Sequence, residues 1–114
     1  MSANCFVKSF TISSGTESEQ INLINKSLVG IFIPAGIAST AFTIKNAVFP
    51  GDAGVTVYNG DGVYGAVSDY SPAIAASKYI PIRPSISAGL MNVTFVFNAT
   101  ETAKTFHVVY KDIA

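Results

Sequence analysis

A chain of 114 residues has the size of one ordinary domain, so residues 1–114 are read as a single unit with one core. Hydrophobic residues make up 49% and charged residues 12%, the latter about half the usual share of a globular protein; seven basic and seven acidic side chains cancel, and the lysines are scattered. That balance gives no field to attract nucleic acid or an anionic membrane, and neither is expected as a partner.

Residues 1–5 read either as a flexible arm reaching a neighbour or as the beginning of the first strand. They lack the basic leader and apolar segment of a secretory signal, so synthesis in a cytoplasm is expected. The lone Cys5 has no second thiol for a disulfide or metal cluster and is expected buried or half-buried. From Cys5 to Ser13, "CFVKSFTIS" alternates Phe6, Lys8, Phe10 and Ile12 against Val7, Ser9 and Thr11, which predicts a strand. "SSGTESEQ" reads as a loop. "INLIN" and "LVGIFIPAG" are two further apolar segments parted by Asn25-Lys26-Ser27, consistent with a hairpin, and Pro34 and Gly36 end the second. "TAFTIKNAVF" sets Phe42 and Ile44 opposite Thr43 and Lys45, and "VTVYN" alternates Val55 and Val57 against Thr56 and Tyr58.

The loop "VYNGDGVYG" follows. A phosphate cradle would need a helix opening behind the glycines, and a helix-flanked calcium loop would need a carboxylate at its end. Neither pattern is present. Asn59-Gly60 and Asp61-Gly62 instead suit a turn with positive φ. "SPAIAAS" is compatible with a helical turn capped by Ser71, with Pro72 at its first position. "YIPIRP" is extended, and its prolines, which lack a donor, place it at a sheet edge. "NVTFVF" and "KTFHVVYK" are two strong strand signals, with "NATETA" expected to join them as a hairpin.

About eight short strands without a crossover helix predict an all-β fold, an antiparallel two-sheet sandwich that is jelly-roll-like or, alternatively, immunoglobulin-like. Phe6, Phe10, Phe32, Phe42, Phe95, Phe97 and Phe106 fall at strand spacing and are assigned to the core. Catalytic equipment is thin: His107 is the sole histidine and sits in an alternating strand, and the seven carboxylates fall in expected loops or tails. No enzyme activity, cofactor or metal is expected. Tyr58, Tyr64, Tyr70 and Tyr79 surround the irregular middle segment and, with the lone arginine Arg83, form the candidate interface.

The run "LVGIFIPAGIASTAFTIKNAVFPGDAGVTVYNGDG", then "YIPIRPS" and the closing "FHVVYK", resembles the small β-sandwich head decoration, or cement, proteins of tailed bacteriophages across roughly Leu28 to Tyr110. The resemblance implies a virion structural protein, made in the host cytoplasm and placed on the capsid surface. It would assemble as a homo-trimer or dimer, bind the major capsid protein across its joints and stabilise the head. A phage tail or neck component, and a carbohydrate-binding module using the loop tyrosines, are the alternatives.

Overall fold

A computed structural model describes residues 5–59 and 68–112. Its organising element is the last one, β9 (Asn92–Asp112), with which four of the other eight described strands pair. On one of its edges lie β1 (Cys5–Glu17) and β2 (Ile21–Asn22); on the other lie β4 (Phe42–Ala47) and β3 (Lys26–Phe32). β5 (Val55–Thr56) extends the sheet beyond β4, and β8 (Tyr79–Pro81) extends it beyond β3. All seven strands are antiparallel to their neighbours, in one curled sheet that forms a half-barrel. A separate ribbon pairs β6 (Tyr58–Asn59) with β7 (Ser68–Asp69).

The all-β antiparallel expectation is met, but a single curled sheet stands where two facing sheets were expected. The cause lies in β9. Its inward residues are Val93, Phe95 and Phe97 in one limb, and Phe106 and Val108 in the other. The parity of the pattern changes between the limbs, and Ala103, at φ 51°, supplies the change. Positions 97 and 106 would stand about 30 Å apart along a straight strand, yet their rings stack with centroids 4.6 Å apart. The strand therefore doubles over, and its two limbs enclose a core in which Phe10 stacks on both Phe95 and Phe106. "NATETA" is thus the bend of one strand, not a hairpin between two.

Three groups of interactions hold that bend. Asn98 Oδ1 accepts from the amides of Thr40 and Ala41 at 2.9 and 3.3 Å. The buried Glu101 carboxylate accepts from the amides of Ala38 and Ser39, the shortest contact being 2.7 Å. Ser39 Oγ donates to the Ala99 carbonyl at 3.1 Å. β1 takes a shorter path round the corner: Gly15 faces Glu101 and Glu17 faces Val96, leaving one residue of β1 against four of β9. Gly15 sits at φ 142°, a region essentially reserved for glycine. Just beyond, Ser18 imitates a strand residue, donating its amide to the Phe95 carbonyl and accepting the Phe95 amide on Oγ, each at 2.9 Å.

Other local expectations are corrected by the same tertiary pairing. A turn does form at Asn25, where φ is 62°, but β2 and β3 pair with opposite edges of β9 rather than with each other. "SPAIAAS" makes no helical turn; Ala73 bridges to Ala41 and Ile74 donates to the Thr40 carbonyl. The helix found among the described residues is a single turn, α1 (Pro84–Ser87), opened by Pro84 and burying Ile86. β8 runs at the sheet edge, as expected from Pro81, which has no amide to donate. Phe6 and Phe32, assigned to the core from spacing, are exposed, and so is the Cys5 thiol.

Candidate interface

The outer face of the sheet around the second limb of β9 gathers an apolar patch. Reading across the strands, one row runs Ser9, His107, Phe32 and Tyr79, and the next runs Val7, Val109, Gly30 and Pro81. These are outward positions, because their neighbours Phe106, Val108, Ile31 and Phe10 all point into the core. Phe32 and Tyr79 meet with ring centroids 4.7 Å apart, and both remain substantially exposed, as does Val7. Tyr79 lies flat over Gly30: a Cβ there would strike the Tyr79 hydroxyl and come within 2.8 Å of the Ile80 carbonyl oxygen. Glycine at 30 is thus what lets the tyrosine ring settle on the sheet. Burial, with a smaller contribution from Cys5, pushes the Tyr79 phenol above its ordinary value and keeps it neutral.

Hydrogen-bonded polar pairs lie in and beside the patch. Ser9 Oγ and His107 Nδ1 are hydrogen-bonded at 2.7 Å, and the Thr11 and Thr105 hydroxyls at 2.9 Å. His107 is accordingly an exposed sheet-face residue. Below Pro81 a groove of about 410 Å³ is lined by Leu28, Ile82, Arg83 and Lys111. Arg83 shares this groove with Pro81, at the margin of the Tyr79 patch.

The remaining candidate residues do not converge there. Tyr70 is buried in the core. Its phenol is pushed up by burial while the nearby Arg83 charge pulls the other way, so it anchors the chain leaving the ribbon rather than offering a contact. Tyr58 is exposed on the ribbon, opposite Asp69. The antiparallel pairing of β6 with β7 brings the chain back on itself, while Tyr64 and the turn residues Gly60, Asp61 and Gly62 lie outside the described residues; of the turn set only Asn59, in β6, is placed.

A second apolar surface escaped the sequence reading. The connection between β4 and β5, with the first residue of β5, exposes Val48, Phe49 and Val55, the most solvent-open large hydrophobics described, at 62%, 66% and 74%. It attaches to the first limb of β9, where Ala47 faces Asn92. Gln20 holds this tip in shape: its Nε2 donates to the Asp52 carbonyl at 3.1 Å and its Oε1 accepts the Gly51 amide at 2.9 Å. The Asn92 amide also donates to the Ala47 carbonyl at 3.2 Å. Alternation marked Val55 as a strand residue but carried no sign that β5 is an edge strand of only two residues.

Glu101 is the other omission. It was expected in a solvated loop, yet it is 1% exposed inside β9. Burial alone pushes its carboxyl up; the Ser39 side chain, the Ala38 and Ser39 amides and the Lys104 charge pull it down further, so it stays ionised below the ordinary range. Its work is structural, since its oxygens are taken up by the backbone they hold.

Comparison with known proteins finds no matching family, no matching curated protein and no matching solved structure.

Proposed function

We propose that this chain is a capsid decoration subunit of a tailed phage, binding across joints between major capsid subunits and stabilising the head. The observation that carries this reading is the pair of exposed apolar surfaces attached to different limbs of β9: Val7, Phe32 and Tyr79 on one, Val48, Phe49 and Val55 on the other. A subunit that rivets two neighbours together needs two separate contact areas on a rigid body. Exposed aromatic and aliphatic side chains gathered in patches are the composition that such contacts favour. Affinity for the assembled shell and not for its free subunits then stabilises the shell by mass action. Within this reading the two limbs of β9 serve as the layers of a jelly-roll-like sandwich closed over the Phe10, Phe97 and Phe106 stack.

The test is to add the purified protein to cognate heads lacking it and to measure occupancy by electron microscopy. Symmetric, stoichiometric density over the joints between capsid subunits is expected; heads that stay bare at saturating protein overturn the reading. Binding to tail or neck rings instead would move the chain to that structural class. The tilted Phe32 and Tyr79 rings also support a carbohydrate-binding reading, because aromatic faces of this kind can stack on a sugar ring. A glycan-array signal that disappears in Tyr79→Ala would establish it.

A further inference from the structure

β1 has one edge on β9 and another with no backbone partner among the described residues over its 13-residue length. The other ends of the sheet are blunt: β5 has two residues, and β8 has three, one of them Pro81. Long open edges are ordinarily protected by charge, proline or bulges, because their free N–H and C=O groups template pairing with another chain. From Cys5 to Gly15 the only charge is Lys8, and there is no proline. The half-exposed Phe6 and the more exposed Val7 stand on this same stretch.

We infer that the free edge of β1 is a homodimer interface, on which β1 of a second copy pairs antiparallel about a twofold axis at Ser9. An antiparallel strand is self-complementary under such an axis, so one sequence supplies both sides. Side chains must keep to their own faces, which admits only registers that match odd positions with odd and even with even. With Ser9 on the axis, Val7 lies beside the partner's Thr11, Phe6 beside the partner's Ile12, and Cys5 beside the partner's Ser13. Lys8 then meets the partner's Phe10, so no like charges oppose each other; an axis at Lys8 would set the two lysines together. The register uses residues 5–13, of which 5–12 pair with β9 at every position, and it stops short of the shift beyond Gly15. A net charge of zero adds no repulsion between copies. Joining the edges makes the two curled sheets continuous and covers Phe6.

This inference does not depend on the capsid reading, and its test needs no capsid. Sedimentation of the wild-type chain is expected to give a dimer at micromolar concentration. Val7→Lys combined with Thr11→Lys places lysines opposite lysines at both ends of the interface and should weaken dimerisation by at least about a hundredfold. Both sites are exposed, so the thermal melt should be little changed. Mixing that variant with a Val7→Glu, Thr11→Glu chain should restore a dimer of mixed composition. Independently, Ser9→Cys in a Cys5→Ser background should oxidise to a covalent dimer, because residues opposed on the axis lie within disulfide reach. A wild-type monomer, a mass other than a dimer's, or a dimer indifferent to the lysine pair would each overturn the inference.

Discussion

Glu101 shows how much one side chain can hold. Its carboxylate binds the 38–39 backbone to the bend of β9, and removing it strands amides that the chain has already withdrawn from water. Glu101→Ala is expected to cost about 2–3 kcal/mol at neutral pH, read from urea denaturation. The folded-state carboxyl titrates below its ordinary value of 4.5. The stability it contributes is therefore complete above that ordinary value and is lost as pH falls through the lower, folded one. Melting temperature should decline below about pH 4.5, and Glu101→Gln should flatten that decline. At Gly30, an added methyl group meets the Tyr79 hydroxyl and the Ile80 carbonyl. Gly30→Ala is expected to lift Tyr79 off the sheet and to cost about 1–3 kcal/mol, seen as a lowered urea midpoint. Neither role could be read from spacing: Glu101 sits among Thr and Ala in a run that looks like a turn, and Gly30 looks like an ordinary strand interruption.

At the scale of elements, β9 turns two apparent strands into one. Its central alanine holds φ 51°, a conformation that costs an L-residue about 1 kcal/mol and a glycine almost nothing. Ala103→Gly should therefore raise stability by about 0.5–1 kcal/mol, and Ala103→Val should lower it by more, both measurable in thermal melts. The alternation in "NVTFVF" and "KTFHVVYK" is legible, and so is its change of parity. Whether such a change marks a hairpin or a bend depends on which strands cover the free edges, and these come from residues 5–47. The tip between β4 and β5 depends on a distant residue in the same way. Gln20→Ala removes both hydrogen bonds that shape it and should increase amide exchange at Gly51 and neighbouring positions while leaving the core melt nearly unchanged.

The whole molecule presents its apolar contact areas on separate limbs, and their effects on a large partner should be separable. Phe32→Asp and Phe49→Asp are each expected to weaken head binding by at least about tenfold, with nearly additive free energies because the sites lie on different limbs of β9 and share no contact. Coupled losses would mean one contact area rather than two. By itself the sequence determined the class: alternating apolar faces, punctuated by Gly, Pro and Asn and lacking helical periodicity, can be buried only by packing strands. It also marked most of the core phenylalanines and the edge position of "YIPIRP". Tertiary structure alone decided that one 21-residue strand serves every principal pairing, that Phe6 and Phe32 lie outside the core, and that Glu101 lies inside. Periodicity reports which residues share a face of a strand, whereas burial depends on what covers that face. The cover is chosen by pairings between residues far apart in the chain, and a local pattern carries no record of them.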